Sequence, residues 1–206
     1  AEGSMLPSGK MPYEVFIPAY RDEILSDTVM VYGNVDEVEL VLNGKTIRRQ
    51  TADKGPDSDY IPVPNGGNGK NLHFPPFTFY GVSKERGVLK AVGYHQGKKV
   101  AEYTVKTPGV PERLDITYFE SGKPATKNDL LIVYVRMLDK QGVLCPVNGI
   151  PVELSVQGGE IVGPTSYPLE AGVASFLVRT GEISKININA TGKGFSTRKS
   201  LKVGKE

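Results

Sequence analysis

Tryptophan is absent from this sequence, and its 206 residues include only one cysteine and two histidines. The single cysteine, Cys145, excludes an intrachain disulfide framework. No apolar run approaches the roughly 18 residues of a membrane helix. A net charge of +2 gives no field that would recruit nucleic acid or an anionic membrane. The sequence therefore predicts neither nucleic-acid binding nor membrane insertion, and it contains no pattern that requires a cofactor.

The segment around which the first half is organised is 28–47, TVMVYGNVDEVELVLNGKTI. Asn43-Gly44 between two alternating runs predicts a β-hairpin, because a type I′ turn requires positive φ at both central residues. Alternation over 37–42 places Val38, Leu40 and Leu42 on one face of the strand. We expect that face to be buried and the Glu37/Glu39 face to meet solvent or another domain.

Alternating segments of this kind recur along the whole chain, with abundant glycine and proline between them, and none keeps a helical period. Two prolines and a glycine interrupt the pattern at 107–111, TPGVP. The sequence thus predicts an all-β fold of two tandem immunoglobulin-like antiparallel β-sandwich domains, residues 11–107 and 112–206, joined by a linker at 108–111. The predicted strands are 13–18, 28–32, 37–42, 45–50, 76–80, 87–95 and 98–106, then 113–119, 130–138, 152–156, 160–162, 172–179, 185–190 and 196–203.

Residues 31–45, VYGNVDEVELVLNGK, resemble a "VYSNCDEVELFLNGK" signature of domains that follow the catalytic barrel in bacterial glycoside hydrolase family 2, the β-galactosidase family. Residues 74–79 (FPPFTF) and 87–94 (GVLKAVGY) resemble the next two strands of that domain, and 131–142 resembles the immunoglobulin-like domain that often follows. Gly33 and Val35 stand where serine and cysteine are commoner.

The resemblance implies a C-terminal, non-catalytic region whose partner is the catalytic barrel of the same polypeptide. It also implies a periplasmic or extracellular location and a parent enzyme acting on a β-galactoside or a related polysaccharide. Family 2 catalysis uses two glutamates at strand ends of that barrel. The glutamates of this chain fall on predicted strand exteriors, so we expect solvated side chains and no enzymatic activity: Glu37, Glu39, Glu102 and Glu153.

Metal and nucleophile chemistry finds little support in the sequence. The two histidines, His73 and His95, lie on different segments without metal-ligand spacing. Cys145 precedes a proline in a predicted turn, which favours a buried structural thiol over a nucleophile. Asp53 begins a loosely alternating aspartate series that lacks the glycine and terminal glutamate of a calcium loop.

Sugar binding is the alternative function that the sequence leaves open. Tyr60, Asn71, His73 and Phe74 lie in or beside the long polar loop at 51–74, where an aromatic ring and amides could receive a pyranose. In that case the chain is a carbohydrate-binding module of such an enzyme. The competing interpretation is that Phe74, with Phe77 and Phe79, packs into the sandwich core.

Overall fold

The computed structural model describes residues 12–17, 28–53, 75–118 and 124–204. The chain divides into two compact units, residues 1–107 and 108–206. Within the described ranges all strands form antiparallel sheets, and no helix is long or apolar enough to cross a membrane. The predicted all-β class of two immunoglobulin-like sandwiches is confirmed.

The strands of the first unit are β1 (Val15–Phe16), β2 (Val29–Gly33), β3 (Glu37–Leu42), β4 (Lys45–Thr51), β5 (Phe77–Phe79), β6 (Val88–His95) and β7 (Lys98–Lys106). They form a three-stranded sheet of order β1-β2-β5 and a four-stranded sheet of order β4-β3-β6-β7.

The hairpin of β3 and β4 forms where the sequence predicts it. Asn43 and Gly44 have φ angles of 51° and 79°, the left-handed conformation that this two-residue turn requires. Along β3 the residues alternate between half-buried and buried, with Val38 and Leu40 fully inaccessible. The alternation is the direct result of a side-chain period of two on a strand with one face against the core.

The core of the first unit lies between its two sheets. Phe77 and Phe79 are both fully buried there, as predicted, whereas Phe74 lies outside the described residues. A buried side chain of this kind contributes on the order of 1.5–3 kcal/mol to the free energy of unfolding. The largest inaccessible members of this core are Val29, Val31, Val38, Leu40, Phe77, Phe79 and Leu89.

The strands of the second unit are β8 (Arg113–Tyr118), β9 (Leu130–Leu138), β10 (Pro151–Gln157), β11 (Gly159–Ile161), β12 (Ser166–Pro168), β13 (Val173–Thr180), β14 (Lys185–Gly192) and β15 (Phe195–Lys202). They form two four-stranded sheets, of order β12-β10-β14-β15 and β11-β13-β9-β8. Along β9 the two faces differ, since Leu131, Val133 and Met137 are buried and Ile132 is exposed.

Strand β12 is the element that the sequence did not predict. All three of its residues are exposed, so no alternation marks it. It forms by pairing with the edge of β10, where Val152 lies opposite Tyr167.

The segment that enters the second unit is held by a buried carboxylate. Gly109, within the predicted linker, donates its N–H to Asp139 Oδ2 at 2.7 Å. The predicted buried position of Cys145 is confirmed, because the side chain is 2% exposed and its Sγ lies 3.7 Å from the Gly109 carbonyl oxygen.

Candidate interaction surfaces

The residues predicted to bind sugar are not placed by the structure. Tyr60, Asn71, His73 and Phe74 all lie outside the described residues. Their role as a sugar-binding patch stays a prediction.

Asp53 connects the two described stretches of chain that flank residues 54–74. Asp53 donates its backbone N–H to the Pro76 carbonyl oxygen at 2.8 Å. Its carboxylate accepts the Thr78 N–H at 3.0 Å and the Thr78 hydroxyl at 2.5 Å. The carboxylate therefore fixes the position of β5. In the described part of the chain, no group of three or more potential metal-binding side chains lies close enough together to hold a metal ion.

The outer face of the four-stranded sheet in the first unit carries a closed network of polar side chains. The Arg49 guanidinium lies 2.5 Å from the Glu37 carboxylate and 3.7 Å from the centroid of the Tyr94 ring. Glu39 accepts the Tyr94 hydroxyl at 2.7 Å and the Thr46 hydroxyl at 2.6 Å. These contacts satisfy the carboxylates within the sheet itself.

The electrostatics of this network are those of a structural cluster. The hydrogen bonds from Thr46 and then Tyr94 hold the pKa of Glu39 below its ordinary value, while the bond to that carboxylate raises the pKa of Tyr94. A general acid in glycoside hydrolysis needs the opposite, a carboxyl whose pKa is raised. All four glutamates lie on strand exteriors as expected, with Glu102 and Glu153 exposed and Glu37 and Glu39 half-buried. Glu37 and Glu102 are also ion-paired, with Arg49 and Lys99 respectively.

The outer face of the three-stranded sheet differs, because no residue of β1, β2 or β5 is charged, and the neighbouring Asp53 carboxylate is bonded to Thr78 of β5. Phe16 and Tyr32 are paired across β1 and β2 and are 47% and 39% exposed. Met30 lies on the same face of β2 as Tyr32, whose hydroxyl is 3.9 Å from the methionine sulfur. We call Phe16, Met30 and Tyr32 the uncharged face.

An antiparallel sheet with one wet face normally alternates apolar and polar residues. Strand β2 instead has apolar or aromatic side chains on both faces, Val29 and Val31 inward and Met30 and Tyr32 outward. Exposed apolar surface of this kind is typical of sites that contact other proteins. The sequence signal was present in the unbroken run VMVY, which carries no polar position.

A shallow cleft of about 420 Å³ lies in the second unit. Glu160 is paired with Arg179 there, and Glu182 accepts hydrogen bonds from Asn128 at 2.5 Å and Lys127 at 3.2 Å. The charged groups of the cleft are therefore paired with one another.

Comparison with known proteins places the chain in a family. The family model described as "Domain of unknown function (DUF4982)" matches residues 26–101. A β-galactosidase of Rhizobium radiobacter is 30% identical over 129 residues, which cover 62% of this chain and 92% of that protein. The chain belongs to glycoside hydrolase family 2. This family 2 chain is also similar to a β-galactosidase of Thermoanaerobacter pseudethanolicus, 30% identical over 80% of the chain but only 22% of that protein.

The fold is also found in a solved structure. A solved β-glucuronidase from glycoside hydrolase family 2 superposes with a TM-score of 0.72 at 22% identity, covering 94% of this chain and 20% of that one. At that identity the likeness shows the fold alone. The chain thus spans about a fifth of the length of these two longer proteins.

Proposed function

We propose that this chain is a non-catalytic accessory region of a family 2 glycoside hydrolase that packs against the catalytic barrel of the same polypeptide. The uncharged face formed by Phe16, Met30 and Tyr32 is the observation that carries the proposal. Family membership and the small share of longer relatives that the chain covers support it. In the same proposal the parent enzyme hydrolyses a β-galactoside or a related saccharide and acts in the periplasm or outside the cell.

The proposed contact is stabilised by the removal of apolar side chains from water. Large side chains such as Phe16 and Tyr32, half-exposed on a rigid sheet, are stabilised when a neighbouring surface removes them from water, by roughly 25 cal/mol for each Å² of apolar area covered. A cationic side chain in the centre of such a contact is left unpaired and desolvated, which costs several kcal/mol. In a free chain the same cation stays hydrated and costs little.

Tyr32→Lys in the complete enzyme separates these two situations. Thr104→Lys is the matched control, because Thr104 is exposed on strand β7 of the four-stranded sheet in the first unit. We expect Tyr32→Lys to lower the thermal midpoint of enzymatic activity in the complete enzyme and to change the melting of the 206-residue chain much less. Thr104→Lys should change neither. Equal effects of Tyr32→Lys in both settings would show that the tyrosine acts only within the chain.

A direct activity assay tests the non-catalytic part of the proposal. The purified chain should leave a chromogenic β-galactoside intact under conditions in which the complete enzyme hydrolyses a chromogenic glycoside. Turnover by the chain alone, retained through repeated purification, would overturn the assignment.

Carbohydrate binding by the first unit is the second candidate function. The observation that favours it is the Asp53 clasp, which joins the two flanks of the segment carrying Tyr60 and Phe74. Calorimetric titration with galactan-type oligosaccharides should then show binding that Tyr60→Ala and Phe74→Ala each abolish. Heats no larger than those of dilution would remove this candidate and leave the accessory role standing.

A further inference from the structure

An aliphatic row crosses the outer face of one sheet in the second unit. Val162 donates its N–H to the Leu177 carbonyl oxygen at 2.8 Å, and Leu177 lies directly opposite Ile132 on β9. Val162 and Ile132 are 37% and 44% exposed, and Leu177 is half-buried. Outward side chains from three neighbouring chain segments thus form an apolar strip across this face.

The surroundings of this strip have the anatomy of a protein contact. Leu130, 51% exposed, extends the apolar centre along β9. Polar pairs stand at its two ends, Arg179 with Glu160 on one side and Arg136 with Asp115, 2.5 Å apart, on the other. An apolar centre with a polar rim distinguishes interfaces from the ordinary protein surface. Because the rim charges neutralise each other, the strip requires no charged partner.

The opposite sheet of the same unit supplies an internal comparison. The following outward positions of its central strands carry charged, amide or hydroxyl side chains, and none of them is a large apolar residue. They are Glu153, Ser155 and Gln157 on β10 and Lys185, Asn187, Asn189 and Thr191 on β14. The two outer faces of one sandwich therefore differ in polarity.

The size of the whole outer face of this sheet, apolar strip and polar rim together, indicates what covers it. Four strands spaced about 4.8 Å apart and about six residues long give a face of roughly 20 Å by 20 Å, or about 400 Å². A stable complex between separate proteins buries about 800 Å² on each partner. Contacts between domains of one chain bury roughly 600–1,500 Å² in total, which this face matches when both sides are counted.

We propose that the face centred on Leu177 and Ile132 docks against another domain of the same polypeptide, one that presents an uncharged apolar surface and lies beyond residues 1–206. The proposal rests on the proposed function, since it requires a longer enzyme. It adds a second docking surface, in the second unit, to the uncharged face of the first.

Thiol labelling tests this docking. The native Cys145 is 2% exposed and is a protected background, so Ile132→Cys introduces an accessible thiol at the centre of the face. Ser155→Cys is the matched control, an exposed outward position on the polar sheet. In the 206-residue chain both variants should react readily with a maleimide, as measured by peptide mass spectrometry. In the complete enzyme Ile132→Cys should react at least about tenfold more slowly, while Ser155→Cys keeps its rate.

Equal reaction of Ile132→Cys in the chain and in the complete enzyme would overturn the docking proposal. Protection that appears in the isolated chain and grows with its concentration would also overturn it, because the occupant would be a second copy. If Ile132→Cys unfolds the second unit, Val162→Cys on the same strip gives the same comparison. The two proposals can be refuted independently. If Tyr32→Lys destabilises the complete enzyme as expected while Ile132→Cys still reacts there at the rate seen in the chain, only the docking of the second unit is refuted.

Discussion

Gly87 offers the sharpest stability test in the structure. Its φ is +141°, a conformation that L-residues rarely adopt, and a Cβ there would overlap Oδ1 of Asn43. That oxygen accepts the Val88 N–H at 2.8 Å, and Nδ2 of the same side chain donates to the Arg86 carbonyl oxygen at 3.1 Å. Asn43 therefore fastens the β3–β4 turn to the start of β6, and Gly87→Ala removes the space for that clasp.

The cost has two parts. Backbone strain at such a φ is about 1–3 kcal/mol, and two displaced hydrogen bonds cost about 1 kcal/mol each. The expected loss in the free energy of unfolding of the first unit is thus about 3–5 kcal/mol. Gly97→Ala is the control, since its φ is +74° and its Cβ would meet no atom within 4 Å. It should cost only the left-handed backbone penalty, about 1–2 kcal/mol.

A double-mutant cycle isolates the clash. Asn43→Gly removes the side chain and keeps the turn conformation, so Gly87→Ala in that background should cost only the backbone strain. The two substitutions should therefore fall short of additivity by about 2 kcal/mol. Urea denaturation followed by circular dichroism, with calorimetry to separate the two units, measures each term. Strict additivity, or a Gly87→Ala variant no less stable than Gly97→Ala, would refute the reasoning.

Three further predictions concern single side chains. Glu39→Gln should lower the pKa of Tyr94 toward its ordinary 10.0, because the carboxylate that raises this pKa is gone. NMR titration of labelled tyrosine measures the change, and an unchanged pKa would contradict the contact. Asp139→Asn should lower the melting temperature of the second unit at neutral pH, since the carboxylate accepts backbone N–H groups at 2.7–2.8 Å. Those bonds, led by the one from Gly109, hold the pKa of Asp139 below 3.8, so its stabilisation is complete above that pH and lost as the pH falls through the lowered pKa. The difference in melting temperature between wild type and Asp139→Asn should therefore narrow in acid, and a difference independent of pH would contradict the assignment. Cys145 should resist a thiol reagent in the native chain and react in urea, and rapid native reaction would contradict its burial.

Sequence periodicity was sufficient for the strands whose two faces differ. Leu40 and Val133 belong to alternating runs and occupy the core as expected. Strand β12 was not predicted because all its residues are exposed and show no alternation. Only its pairing with β10 defines it as a strand. Val92 is an outward residue of β6, yet it is only 6% exposed. The residue pattern along one strand cannot show that an outward side chain is covered, because the covering residues belong to neighbouring strands.

The polar contacts were less predictable than the fold for the same reason. Asn43 was recognised as a turn residue, but its bonds to Arg86 and Val88 join segments more than forty positions apart. The pairing of β1 with β2, which creates the uncharged face, likewise depends on which strands become neighbours. The sequence-predicted sugar patch remains a prediction because its four residues lie outside the described part of the chain.

Hydroxyl-radical footprinting of the uncharged face tests the central claim most directly. Phe16, Met30 and Tyr32 carry oxidisable side chains, and Tyr167 of the second unit, 39% exposed like Tyr32, is the internal reference. The account predicts that all three are modified in the 206-residue chain and protected in the complete enzyme, relative to Tyr167. Equal modification of the three side chains in both proteins would contradict it.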